Sequence, residues 1–197
     1  MPAPRRSALS PTLISVDIEA AGPTPSEYAM LSIGACLVDD PEQAFYVELQ
    51  PDREKVDDAA MSIGGFTLDG LRASGTAPRE AMTAFADWIA SVTPEGTPAL
   101  LVGFNAPFDW MFVADYFHRY LARNPFGHAA LDVKAYYFGV TGVTWPETSL
   151  HRVAEHYRLE MVLTHNALDD ARDQATLFRA IRAEQQERTQ HPRSQHR

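Results

Sequence analysis

Three short segments carry residues whose types and spacing could do chemistry. In Thr12 to Gly22, TLISVDIEAAG, two acids, Asp17 and Glu19, close an apolar run. Leu13 to Val16 has the pattern of a buried β-strand, and on a strand residues two apart point to the same face. Two carboxylates side by side at the end of a core strand are costly. They repel each other unless one is protonated or a cation lies between them. Hard divalent cations such as Mg2+ and Mn2+ take carboxylate oxygens as ligands. The stretch therefore reads as half of a metal site.

Two further segments offer the other half. Asp109 lies in LVGFNAPFDW, in the first turn of a helix that follows an apolar strand. It shares a helical stripe with Val113, Tyr116 and Tyr120, a largely inward-facing side. His165 and Asp170 lie in LTHNALDDA, at the start of the last helix. Asp170 shares a stripe with Gln174, Leu177 and Ile181, so it points inward more than Asp169 does, while His165 comes from the preceding loop. Four carboxylates and one histidine are the parts for phosphodiester hydrolysis with two cations roughly 3.5–4 Å apart, which clamp the attacking water and the leaving oxygen. The histidine can take the proton from water as general base.

Each signal is weak by itself. Asp40-Pro-Glu42 and Asp52-Arg-Glu54 repeat the acid spacing, but neither ends a core strand. An acid like Asp109 also suits a helix N-terminus through the helix dipole alone. His128 to Asp132 nearly repeats the third segment, with the acid one residue early. His118, His128, His151 and His156 have no partner pattern. The weight lies in three signals that stand in order, each on a suitable element.

The elements that must position them follow from periodicity. Strands are expected at about 12–19, 30–38 and 44–49, joined by short polar links, and therefore as an antiparallel meander. Residues 51–59 are charged and loop-like, and 61–71 mix glycines with apolar residues, as short helical turns do. Met82, Phe85, Ile89 and Val92 predict an amphipathic helix over 78–92, with Pro78 in its first turn. A buried strand at 98–104 leads through Asn105, a candidate N-cap, into a helix over 106–122. Residues 130–138 predict a short strand or turn and a helix. A helix over 149–157 starts at a Ser cap, and the last helix spans 167–187. The pattern is an α/β three-layer sandwich with a mixed sheet. Strand-end acids and helix N-termini of such folds meet at one sheet end, where ligands bind.

The chain of 197 residues suffices for one domain with a core. The expected organisation is a disordered tail at 1–11, a single domain over 12–187 and a disordered tail at 188–197. The one cysteine, Cys36, sits in an apolar run as a small buried hydrophobe. No apolar run is long enough to span a membrane, and the arginines near the start precede no signal-peptide core. These points favour the cytoplasm. The net charge is −9, and Arg5, Arg6, Arg188, Arg193 and Arg197 lie in the tails, so the body is more acidic still. That argues against gripping a long duplex through a broad basic face. A short nucleic-acid end held through metal ions stays open, because the metals cancel carboxylate charge.

Together the segments resemble the DEDDh 3′–5′ exonucleases, the group of ribonuclease T, oligoribonuclease and the proofreading subunit of bacterial replicative polymerase. Asp17-Ile-Glu19 with Gly22 resembles the first motif, Asn105-Ala-Pro-Phe-Asp109 the second, and His165-Asn-Ala-Leu-Asp-Asp170-Ala171 the third. The likeness covers about residues 12–185. It implies a ribonuclease H-like fold with a mixed five-stranded sheet, an antiparallel meander plus parallel strands. It also implies that Asp17, Glu19, Asp109 and Asp170 hold two Mg2+ or Mn2+ ions, with Asp17 touching both, and that His165 is the general base. The partner implied is a single-stranded RNA or DNA 3′ end, released as nucleoside 5′-monophosphates. Residues Met61 to Leu71 resemble the family segment that holds the substrate end, and Ile18, Ala20 and Phe66 are candidates for contacting the terminal sugar or base. Two departures bear on substrate preference: Ala20 and Ala21 stand where a Thr is common, and Phe104 where a His often precedes the Asn. Some relatives are dimers, so an isologous homodimer is a further expectation. An enzyme restricted to very short RNAs and a non-catalytic end-binding module are the alternatives; retention of all five chemical residues argues against the latter.

Overall fold

The computed structural model describes residues 10–161 and 164–190, the side chain of Ile63 excepted. Five strands form one sheet in the order β3-β2-β1-β4-β5. They are β1 (Thr12–Ala20), β2 (Met30–Leu37), β3 (Ala44–Glu48), β4 (Ala99–Gly103) and β5 (Ala130–Asp132). The first three make the expected antiparallel meander, while β4 joins β1, and β5 joins β4, in parallel. Parallel neighbours need crossovers. These are supplied by α1 (Asp58–Gly64), α2 (Leu68–Ser74) and α3 (Pro78–Val92) before β4, and by α4 (Pro107–Leu121) before β5. The chain ends in α5 (Val133–Thr141), a 3-10 turn (Trp145–Thr148), α6 (Leu150–His156) and α7 (Ala167–Gln190).

Strand alternation divides the core into two layers. Ile14, Val16 and Ile18 of β1 face α3 and α4, where Phe85, Phe112 and Phe117 are fully buried. Burying each of these rings contributes about 1.5–3 kcal/mol relative to exposure, and the Phe85–Phe117 rings stack at 5.6 Å. Leu13 of β1, Cys36 and Val38 face the other way with Val102, against α5, α6 and α7 through Val133, Val153, Phe178 and Ile181. By the same alternation Asp17 and Glu19 belong to the α7 side.

Several local expectations change. The segment 51–59 is not all loop: Asp57 accepts from Ala59 N and Ala60 N and so starts α1. Asn105 is not the cap of α4. Its backbone is left-handed at φ 61, which Asn tolerates, and Ala106 takes the cap position with no side-chain bond. Ser149 does cap α6 by position, yet makes no side-chain bond there. The last helix continues past 187 to Gln190, because Arg188 bonds to Glu184 one turn back and to Val140 O. Residues 1–9 and 191–197, most of the two predicted tails, lie outside the described residues. Among the described residues no helix is long and apolar enough to cross a membrane.

Asp52, set aside in sequence as a chance repeat of the acid spacing, has a structural role. Its carboxylate, 10% exposed, accepts from Tyr116 Oη and Tyr120 Oη at 2.6 Å each and pairs with Arg119. Tyr116 Oη in turn accepts from Met30 N at 2.8 Å. The network ties the loop after β3 to α4 and to the start of β2. Asp52→Ala would leave these donors without an acceptor, an expected loss of about 2–4 kcal/mol, measured as a lower urea midpoint with an unchanged slope.

Candidate active site

The α4 and α7 helices begin at the end of β1 where Asp17 and Glu19 lie. Asp109, only 5% exposed, accepts from Ile18 N at 3.1 Å. That bond anchors it to the backbone between the two strand acids, although α4 packs on the opposite layer from α7. Asp17 Oδ1 accepts from Gln174 Nε2 at 2.6 Å. Asp170, also 5% exposed, accepts from Thr164 N, Thr164 Oγ1 and His165 N, each at 3.1 Å. Asn166 caps α7, its Oδ1 accepting from Leu168 N and Asp169 N. His165 has a left-handed backbone, φ 55, and is half-buried at the turn into α7. Glu19, His165 and Asp170 each present one ligand atom, all within 4.8 Å of one another.

The electrostatics match a cation site without its charge. Burial, and then the nearby Asp109, Glu19 and Asp170, hold the Asp17 carboxyl well above the usual carboxylate range. Burial and Asp170 push Glu19 up to about 7. Burial pushes Asp109 up to about 7 against the opposing bond from Ile18 N. Acids that are buried, as Asp109 and Asp170 are, or half-buried, as Asp17 and Glu19 are, and that repel one another fit hard divalent cations through their oxygen donors. The four acids Asp17, Glu19, Asp109 and Asp170 would hold them.

The three weaker candidates separate. Ile18 is buried and Ala20 half-buried, and both line a cleft of about 330 Å3 beside Glu19, with Gly22, Ala60 and Phe108. Phe66 packs against a small cluster with Ala21, Tyr28, Leu31 and Leu71. Sequence reasoning did not single out Phe108 or Ala60 as cleft walls, or Thr164 as a donor to Asp170. It placed Gln174 on the Asp170 stripe without assigning it a partner. Asp132, the acid of the near repeat, caps α5 through Lys134 N and Ala135 N.

Fold and site together place clustered acids and one histidine at the end of the sheet. By comparison, residues 14–178 match the family model described as Exonuclease (RNase_T). The chain is 47% identical over 168 residues to the 3′–5′ DNA exonuclease Cap18 of Escherichia coli, covering 85% of this chain and 90% of that one. Among solved structures, it superposes on the nuclease domain of 3′hExo, a DEDDh family member bound to rAMP, with a TM-score of 0.70 at 18% identity. That match covers 92% of this chain and 95% of that one. E. coli exonuclease I in complex with a dT13 oligonucleotide gives a TM-score of 0.65 at 18% identity, covering 93% of this chain. This chain spans 42% of exonuclease I. The protein belongs to the DEDDh 3′–5′ exonuclease family, and its fold is ribonuclease H-like.

Proposed function

We propose that this chain removes nucleotides one at a time from the 3′ end of single-stranded DNA, with His165 as general base and two divalent cations held by Asp17, Glu19, Asp109 and Asp170. The observation that carries the reading is the convergence of ligand atoms of Glu19, His165 and Asp170 within 4.8 Å, beside half-buried Asp17 and buried Asp109. The choice of DNA rests on the 47%-identical relative, which is a DNA exonuclease. When bound, Mg2+ or Mn2+ would neutralise charge that builds on the phosphate and its leaving oxygen. The ring of His165 takes a proton from the attacking water, whose oxygen forms the new bond to phosphorus. The bond from phosphorus to the 3′ oxygen of the preceding nucleotide breaks, that oxygen gains a proton, and a nucleoside 5′-monophosphate leaves. Ile18, Ala20 and Phe108 offer an apolar wall to the terminal nucleoside. Asp170, fixed by two backbone N–H groups and a hydroxyl, holds the His165 turn in place.

The test is a length series of 3′-labelled DNA and RNA strands with Mg2+ or Mn2+. Mononucleotide release from DNA, with RNA cut more slowly, is expected. Intact DNA in both metals would sink the proposal, and faster cutting of RNA dinucleotides would favour a short-RNA enzyme. His165→Ala should lower kcat by about 10²–10⁴-fold, the usual contribution of a positioned base, with KM for DNA little changed.

A further inference from the structure

Gln174 lies on α7 one turn beyond Asp170 and is 6% exposed. Both ends of its amide are used. Oε1 accepts from Phe104 N at 2.8 Å, and Nε2 donates to Asp17 Oδ1 at 2.6 Å. The orientation is forced: a backbone N–H can only be met by the amide oxygen, so the nitrogen must face Asp17. Phe104 lies between β4 and the left-handed Asn105 that turns the chain into α4. One buried side chain thus joins β1, which carries Asp17, and α7, which carries Asp170, to the connection that leads into α4 and Asp109. It also occupies one oxygen of Asp17 and leaves the other oxygen to a ligand.

We propose that Gln174 is a positioning residue that fixes the Asp17 carboxylate in its cation-binding orientation and locks the β4–α4 junction to α7. The proposal rests on the reading of Asp17 as a cation ligand. A shorter or apolar side chain cannot span the two partners. Without the amide, Asp17 can rotate, and the Phe104 N–H is left without its buried acceptor. Partners that orient metal ligands typically cost about 10–100-fold in metal affinity when removed.

The experiment is calorimetric titration of the intact chain with Mn2+, for wild type, Gln174→Met and Gln174→Asn. Each is also introduced into Asp17→Asn, and thermal melts establish that the variants fold. Met keeps the length without the polar atoms, and Asn keeps the amide but is too short; if one fails to fold, the other is read in the same way. We expect Mn2+ affinity to fall by about 10-fold or more in the wild-type background, and no further fall in the Asp17→Asn background, since coupled neighbours are non-additive. In turnover, the Mn2+ concentration for half-maximal rate should rise by a similar factor, while kcat at saturating Mn2+ largely recovers. Mn2+ affinity within about twofold of wild type in both folded variants, below the effect of removing a ligand's partner, would overturn the proposal, as would equal losses in both backgrounds. If wild type itself binds no Mn2+, the reading of the site fails, which is distinguishable from failure of Gln174 alone.

Discussion

Asp17→Asn is expected to raise the melting temperature of the metal-free protein at pH 8 while lowering exonuclease activity by about 10³-fold or more, the scale of losing a charge-stabilising ligand. The stability gain follows from the sign of the shifts. Asp17, Glu19 and Asp109 all have folded values raised above their ordinary ones, and Glu19 and Asp109 rise to about 7. A raised acid contributes full stability below its unfolded value near 4 and loses it as pH rises through the folded value. The metal-free wild type should therefore lose stability from about pH 4 through about pH 7 as these groups ionise against one another. Asparagine cannot ionise, and its Oδ1 can still accept from Gln174 Nε2. The variant's advantage should be largest at pH 8 and vanish below about pH 4. For a domain of this size each kcal/mol of relieved repulsion is worth roughly 2–4 °C. Adding Mn2+ at pH 8 should reverse the order, raising the wild-type melt well above that of the variant, which keeps weaker Mn2+ binding. Melts at four pH values with chelator or Mn2+ decide it. A metal-free variant less stable than wild type at pH 8 would mean that the acids are not in conflict.

The second large effect is expected at a residue with no functional group. Gly34 of β2 pairs with Asp17. A Cβ there would lie 2.1 Å from the Ala167 carbonyl carbon and 2.2 Å from Leu168 N. Both are backbone atoms at the start of α7, so no side-chain rotation relieves the clash. Gly34→Ala must push the sheet and the helix start apart, at an expected cost of about 1–3 kcal/mol or more. The displaced segment carries His165 and Asp170, and a shift of about 1 Å at reacting groups can cost roughly 10²-fold in rate. Gly139→Ala is the control. It lies within α5 with open space around its would-be Cβ, and replacing Gly by Ala inside a helix is neutral or mildly stabilising. Equal activity and melting temperature for Gly34→Ala and wild type would show that the helix start is not seated as described.

These two predictions differ in how far sequence could reach them. Asp17 and Glu19 were legible because a strand has a period of two and a buried strand end is a poor place for two charges. Asp109, His165 and Asp170 were legible from helix starts and stripes. The Gly34 contact was not, because glycine leaves no periodic trace and its role exists only where two distant segments touch. Asn105 was misassigned for a related reason: a polar residue before a helix suits a cap, but the sharp β4–α4 connection takes its left-handed backbone instead. Asp52 resembled the chemical acids by spacing alone, and its partners come from a helix more than sixty residues away.

By itself the sequence determined the order of elements and the antiparallel start of the sheet, and it singled out the five residues for which nuclease chemistry is proposed. Hydrophobic periodicity and local charge cost are properties of neighbouring residues, so they can be seen without a fold. Tertiary structure decided the register of β4 on β1 and of β5 on β4, and the meeting of acids from two opposite layers at the end of β1. It also decided the close approach of Gly34 to α7 and the single amide of Gln174 that joins Asp17 to the β4–α4 junction. Each depends on distances between segments far apart in the chain, which packing sets and local pattern does not encode.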